Sequence, residues 1–130
     1  MKTVFLVTIP RVMLGLLFLV SAVDGFWWLA TGTNLIHPPT SERGLAFEAA
    51  LQNSGFVWPM VKTVNLAGGL SLLFNVAPAF GLALLAPIMA VIVFFHLVLN
   101  PQGLPVALVM TGLGLLLLYA YRGCYAALFR

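Results

Sequence analysis

Residues 79–99 read AFGLALLAPIMAVIVFFHLVL and contain no Asp, Glu, Lys or Arg. A helix of about 20 mostly apolar residues crosses the hydrocarbon core of a bilayer, and this stretch has that length and composition. Pro87 lies inside it and predicts a kink. The turn sequence NPQG follows directly at residues 100–103, so the stretch predicts one complete membrane-spanning helix.

The rest of the 130-residue chain has the same apolar character. Hydrophobic residues make up 62% of the sequence and charged residues 7%, and the mean hydropathy is +1.10. Soluble domains contain about 25% charged residues, so this chain has too few polar side chains to cover a water-facing surface. Intrinsic disorder is excluded as well, because disordered segments are poor in apolar residues. The composition indicates an integral membrane protein with a single domain over residues 1–130.

Clusters of turn residues divide the chain into four apolar segments. The predicted spans are residues 4–29, 57–74, 79–99 and 104–121. Between the first two spans, the sequence from Ser41 to Asn53 predicts a short helix with one apolar and one polar side, capped by Thr40 or Ser41. We expect this helix to lie on the membrane surface. The predicted fold is therefore an all-α integral membrane four-helix bundle with a short interfacial helix between spans one and two.

The basic residues predict the orientation of the bundle. Four spans place both termini on one side, and that side holds Lys2, Arg11, Arg122 and Arg130. The opposite side holds Arg43 and Lys62, with acidic residues beside Arg43. The positive-inside rule then predicts that both termini are cytoplasmic, in a bacterial-type inner membrane. Six scattered basic residues do not form a nucleic-acid-binding patch.

Five polar side chains are predicted at one depth, near the outer ends of three spans. They are Asp24, Lys62, Asn65, His96 and Asn100. Asp24 lies roughly 7.5 Å inside the end of span one, and Lys62 lies about as deep in span two. A lone charge in hydrocarbon costs several kcal/mol, so such groups usually face one another or a wet cavity. We therefore predict an outward-facing polar cluster centred on an Asp24–Lys62 pair.

Two interpretations of this cluster remain open. It could pin the helices together and perform no chemistry. It could instead bind a small molecule or a quinone head group, with Asp24, Asn65 and His96 as hydrogen-bond partners. In that case all five residues are candidate ligand-binding residues, and none is assigned a catalytic role.

Arg11 is predicted at the opposite depth of the membrane. Thirteen residues separate it from Asp24, which corresponds to about 20 Å along a helix, so the two cannot pair. One interpretation is that Arg11 snorkels to the cytoplasmic head groups. The other is that Arg11, like Arg122, contacts a lipid phosphate or a carboxylate of a partner chain.

The usual metal and redox motifs are absent from the sequence. Cys124 is the only cysteine, which excludes an intrachain disulfide and a Cys-x-x-Cys pair. There is no His-x-x-x-His and no Glu-x-x-His spacing. The two histidines, His37 and His96, do not have a spacing that supports haem. We expect no metal and no resident cofactor in this chain.

Several of these residues recur in a spaced pattern that is similar to the DoxX family. The pattern reads Arg11-x-x-x-Gly15-x-x-Phe18-x-x-Ser21, then Phe47-x-x-x-Leu51-x-x-x-Gly55 and Pro59, then Lys62-x-x-Asn65-x-x-Gly68-Gly69-Leu70-x-Leu72. The resemblance covers roughly residues 8–100. It implies a four-helix membrane bundle similar to the membrane subunit of thiosulfate:quinone oxidoreductase, or to membrane components of oxidant-defence complexes. The chain departs from the family at two positions, with Gly25 where a Lys is frequent and Asn65 where a Glu is frequent.

These observations lead to one expected function and two alternatives. We expect a non-catalytic accessory subunit of a larger membrane complex linked to redox or quinone chemistry, in contact with lipid and with other membrane chains in a hetero- or homo-oligomer. The first alternative is a quinone-interacting subunit of a membrane oxidoreductase, which makes a quinone the one cofactor left open. The second is a small proton-coupled transporter, because Asp24 is an acidic residue in the first span. Whether the chain takes part in catalysis is left open.

Overall fold

The computed structural model describes residues 1–130, and all of its regular secondary structure is helical. The α-helices are α1 (Ile9–Thr31), α2 (Glu42–Asn53), α3 (Val57–Phe74), α4 (Pro78–Phe94), α5 (Leu104–Ala120) and α6 (Arg122–Tyr125). Four helical segments are long and apolar enough to cross a membrane, namely Val4–Thr31, Val57–Phe74, Pro78–Leu99 and Pro101–Ala120. The predicted all-α membrane bundle with four spans is confirmed, and the protein is a multi-pass membrane protein.

The helices begin and end at residue types that favour helix termini. Gly32 follows α1 with φ of 80°, a left-handed conformation that glycine adopts without a steric penalty. Ser41 caps α2, because its hydroxyl accepts a hydrogen bond from the Gly44 backbone N–H at 3.1 Å. Asn75 ends α3, also in a left-handed conformation, with φ of 58°. The short helix predicted between the first two spans is therefore present, with Ser41 rather than Thr40 as its cap.

The four spanning helices form an antiparallel ring in which each helix packs against two neighbours. The order around the ring is α1, α3, α4 and α5, and α5 returns to α1. The closest approach is between α1 and α3, where a Cβ added to Gly15 would lie only 3.0 Å from the Gly69 carbonyl oxygen. Small residues allow helix backbones to come this close in a membrane. This approach sets the register of α1 against α3, and it positions the polar side chains described below.

A thin layer of apolar side chains forms the core of the ring. Its members are Leu14, Phe18, Leu72, Leu82, Leu85, Met110 and Leu117. Only 22 of the 130 residues are buried, so most apolar side chains of the spans point outward. A bundle of this kind is suited to surroundings of lipid or of other membrane helices.

The two ends of the bundle differ in what they carry. We call the end at which α1 stops, α3 begins and α2 lies the α2 end. We call the opposite end, which holds both chain termini and the turn between α3 and α4, the terminal end. The polar side chains predicted to cluster lie towards the α2 end, and Arg11 lies towards the terminal end.

Candidate functional site

A hydrogen-bonded group of three side chains joins α1 to α3 inside the membrane-spanning region. The Lys62 ammonium donates to Ser21 Oγ at 2.9 Å, and the Asn65 amide donates to the same oxygen at 3.2 Å. Lys62 is 8% exposed and Asn65 is 2% exposed. We call these three residues the Ser21 cluster. Its centre is a hydroxyl that accepts from a buried charge and from a buried amide.

Local sequence explains how Lys62 reaches this position. Lys62 and Asn65 are three residues apart on α3, and residues at that spacing share one face of a helix. Opposite them, Gly25 of α1 leaves room for the aliphatic part of the lysine side chain, because a Cβ at Gly25 would overlap Lys62. A glycine is therefore required at position 25, since a larger residue and the Lys62 side chain would need the same space.

One tryptophan lies beside the ammonium group, and a second packs against the first. Lys62 Nζ lies 4.4 Å from the ring centroid of Trp58, which is a cation–π contact. Trp58 in turn packs edge-to-face against Trp28 of α1, with 6.2 Å between the ring centroids. Trp58, Lys62 and Asn65 follow one another at intervals of about one helical turn on α3. They therefore form a continuous stripe that faces α1, which we call the stripe.

Two buried polar atoms of this stripe have no hydrogen-bond partner. They are Trp58 Nε1 and Asn65 Oδ1. Exchanging the oxygen and nitrogen of the Asn65 amide does not remove the deficit. The oxygen would then accept from the Ser21 hydroxyl, but the amide N–H groups would lose their acceptor. Since most buried polar groups in proteins are hydrogen-bonded, these two atoms distinguish the stripe from the rest of the bundle.

The predicted contact between Asp24 and Lys62 is wrong. The Asp24 carboxylate accepts instead from Asn34 Nδ2 at 2.9 Å, from the Leu35 backbone N–H at 2.7 Å and from the Ile36 backbone N–H at 3.0 Å. After α1 ends, the chain turns back along the helix, and its amides reach the carboxylate. Asp24 and Lys62 influence each other only across a longer distance. Asp24 therefore holds the loop that follows α1.

His96 and Asn100 form a separate group at the α2 end. His96 Nδ1 lies 3.2 Å from the Asn100 carbonyl oxygen, within a π-helical turn over Phe95–Leu99. The Asn100 side-chain oxygen accepts from the Ser41 backbone N–H at 3.1 Å. This contact attaches the start of α2 to the end of the third span. The five predicted residues thus lie in three groups: Asp24 with its loop, Lys62 with Asn65, and His96 with Asn100.

Sequence reasoning missed Glu48 as a neighbour of this region. Glu48 lies on the helix that was predicted to have one apolar and one polar side, and its side chain is half-buried against the bundle. Burial raises the pKa of Glu48 above its ordinary value of 4.5; nearby Lys62 lowers it, Asp24 raises it further and His96 lowers it. The alternation of polar residues on α2 could not reveal which of them faces the bundle, because that depends on how α2 lies over α3.

Arg11 does not snorkel to the membrane surface. Its side chain is buried, and Nη1 donates to the carbonyl oxygens of Leu72 and, at 3.2 Å, of Leu73. These carbonyls belong to the last turn of α3, which carries partial negative charge and lacks the regular helical donors; Leu72 otherwise accepts only a 3.4 Å hydrogen bond from the Asn75 backbone N–H. Arg122 is exposed and lies over the Tyr119 ring, 4.1 Å from its centroid. A contact of Arg122 with lipid or a partner stays a prediction.

No group of three or more His, Cys, Asp or Glu side chains lies close enough to hold a metal ion.

Compared with known proteins, the chain matches no family model, no curated protein and no solved structure. The resemblance to the DoxX family therefore rests on the residue pattern alone.

Proposed function

We propose that the chain is a DoxX-like, non-catalytic accessory subunit of a larger membrane complex linked to redox or quinone chemistry. One observation supports this proposal most. Each charged side chain embedded in the spans bonds to a group of the chain itself: Arg11 to carbonyls of α3, Asp24 to the loop after α1, and Lys62 to Ser21. Charged side chains that bond within the chain hold its helices in fixed positions. This role fits a subunit that supports other chains and performs no chemistry itself.

The outward-facing surface of α4 also favours contact with other membrane components. Phe80, Val91 and Phe94 are each more than half exposed on this helix. Lipid or a partner helix covers such side chains in a membrane. In a lone bundle every outer face contacts lipid, whereas a subunit of a complex presents one of them to its partner.

The accessory role is tested by the mass of the assembly in native membranes. The protein is extracted in mild detergent, and native mass spectrometry gives the mass of the complex after detergent removal. We expect a defined mass well above the 14.0 kDa of one chain, with membrane chains in fixed ratio. A single chain without a companion or a second copy would refute the proposal.

We propose further that both termini are cytoplasmic, in an inner membrane of bacterial type. The support is the excess of basic residues at the terminal end, where Lys2, Arg122 and Arg130 are exposed. Cys124 is also exposed and provides a native label position. In intact cells Cys124 should resist a membrane-impermeant maleimide, whereas an Asn53→Cys variant should react. The reverse labelling pattern would invert the orientation.

A second candidate, a quinone-interacting subunit of an oxidoreductase, is favoured by the unpartnered atoms of Trp58 and Asn65. The transporter alternative has less support. A proton-coupled carboxylate has to exchange its proton and its cation freely, whereas Asp24 accepts three hydrogen bonds from the loop that follows it.

A further inference from the structure

The stripe that faces α1 has more hydrogen-bond donors than acceptors. A lysine ammonium has three donors, and Lys62 uses one of them on Ser21. The Trp58 indole N–H has no acceptor. Ser21 Oγ accepts from both Lys62 and Asn65, so its own hydrogen is also available to a further group. Against these donors stands one unpartnered acceptor, Asn65 Oδ1, so a ligand that completes the hydrogen bonds of the stripe has to present an acceptor atom.

The charges of the region decide which kind of acceptor fits. Asp24 lies near enough to act electrostatically on Lys62, although the two do not touch. Glu48 acts on Lys62 as well, so the nearby carboxylates already offset the single ammonium charge, and an added anion would leave an uncompensated negative charge in a membrane, where a lone charge costs several kcal/mol. A neutral oxygen acceptor completes the hydrogen bonds without that cost. A metal cation is excluded as the ligand because the ammonium would repel it.

The location of the stripe indicates where such an acceptor comes from. Ser21 and Asp24 are half-buried, whereas Val20 and Val23 beside them on α1 are at least half exposed on the outer surface of the bundle. Trp58 and Lys62 are themselves buried, at 7% and 8% exposed, so an acceptor reaches the stripe from its half-buried Ser21 edge, which borders the outer surface of α1. Lys62 lies roughly 7.5 Å below the start of α3, and the interfacial layer adds about 5–8 Å to each side of the hydrocarbon core. Ester carbonyls of lipids lie near that boundary.

We propose that Lys62 and Trp58 bind the carbonyl oxygen of a neutral lipophilic molecule. The two sources of this chemistry are the ester carbonyl of a bilayer lipid and the ketone or quinone carbonyl of a small apolar compound. The aromatic rings of Trp58 and Trp28 supply an apolar wall beside the donors. The inference deepens the second candidate function, and it requires no partner chain.

The first arm of the test compares two bilayers that differ only in carbonyl oxygens. The lone chain is placed in nanodiscs of a diester phosphatidylcholine or of the diether lipid with the same head group and chains, and Tm is measured. We expect a Tm lower by about 3–6 °C in the diether discs if the lipid ester is the ligand. Lys62→Met and Trp58→Phe should abolish this difference. Trp27→Phe, which removes an exposed indole nearby, should preserve it.

The second arm supplies the carbonyl as a small molecule. Acetophenone or its carbonyl-free analogue ethylbenzene is added to the diether discs. A rise in Tm with acetophenone only, which Lys62→Met and Trp58→Phe abolish, identifies a small carbonyl compound as a ligand. Equal Tm values in both lipids, together with equal effects of the two additives, would overturn the inference. So would an ester–ether difference that survives in both Lys62→Met and Trp58→Phe. The accessory role is tested separately, because it concerns the mass of the native assembly.

Discussion

Replacing Ser21 with alanine tests the central contact of the candidate site. Ser21 Oγ is the shared acceptor for Lys62 Nζ and Asn65 Nδ2. Ser21→Ala removes one oxygen atom and leaves both donors buried without an acceptor. The substitution leaves the helix backbone and the neighbouring Gly25 unchanged, so the loss of stability measures the two hydrogen bonds.

The magnitude follows from the kinds of donor involved. A hydrogen bond between neutral side chains in a membrane protein contributes about 0.6 kcal/mol on average. A hydrogen bond from a charged group contributes about 1.5–3 kcal/mol. Lys62 is 8% exposed, so water does not readily replace the lost acceptor. We therefore expect Ser21→Ala to lower the free energy of unfolding by about 2–3.5 kcal/mol, most of it through the ammonium group.

A double-mutant cycle with Lys62→Met separates the two contributions. Reversible unfolding is followed by circular dichroism as dodecyl sulfate is added to the protein in mild detergent. In the Lys62→Met background, Ser21→Ala should cost only about 0.6 kcal/mol, because only the Asn65 bond remains to be lost. Thr111→Val serves as the matched control, since it removes a hydroxyl that bonds only to the Ala107 carbonyl of its own helix.

A second cycle combines Asp24→Asn with Lys62→Met. Because the two side chains do not touch, we expect a coupling energy below about 1 kcal/mol, compared with about 1.5–3 kcal/mol for Ser21 with Lys62. The opposite ranking, strong coupling between Asp24 and Lys62 and none between Ser21 and Lys62, would refute the assignment and restore a direct ion pair.

Three further predictions concern the remainder of the bundle. Gly69→Ala should destabilise the protein by about 1–3 kcal/mol, because the added Cβ would press on the backbone of α1. Gly112→Ala adds a Cβ in open space, so it should stabilise the protein by about 0.5–1 kcal/mol in the same unfolding assay. Burial raises the pKa of Glu48, so the folded state holds its proton more tightly, and stability should fall as the pH rises from about 4.5 through that raised pKa. Glu48→Gln should remove this fall in a Tm–pH profile and the exposed Glu42→Gln should keep it; two parallel profiles would contradict the assignment. Ala77→Gly should stabilise by about 0.5 kcal/mol, because Ala77 has φ of 49°, and a lower Tm for this variant would argue against backbone strain in the turn.

The spanning helices were predictable because they depend on properties that run along the sequence. Apolar length and turn residues place the span boundaries, and the third span was predicted at 79–99 and is found at Pro78–Leu99. The cap of α2 follows from the same kind of local rule, in which a serine at the start of a helix accepts from a backbone N–H.

The partners of the charged residues were not predictable by the same reasoning. Depth along a helix was estimated correctly enough to place Asp24 and Lys62 near one end of the bundle. It contains no information about rotation around the helix axis or about loops that turn back. The hydrogen bonds from the loop amides of Leu35 and Ile36 to Asp24 were therefore not predicted. Ser21 was also not predicted as the acceptor for Lys62.

Arg11 illustrates the same limit at the terminal end. An arginine near the end of an apolar segment is expected to extend to the head groups. The carbonyls at the end of α3 compete for it, and they are visible only when the register between α1 and α3 is known. In the membrane, the Arg11 guanidinium supplies the hydrogen bonds that water would supply to the same carbonyls at a helix end in a soluble protein.

The hydrogen bonds of the first span also bear on the order in which the chain can assemble during synthesis. The partners of Asp24 follow it by 10 to 12 residues, so they are made immediately after the helix itself. The acceptors of Arg11 follow by 61 and 62 residues, and they exist only once the second span is complete. The acidic end of the first span can therefore be satisfied while the chain is still on the ribosome. Its basic end has its acceptors only after the next span has been made, so the hairpin of α1 and α3 is the smallest unit in which both embedded charges of α1 have their partners.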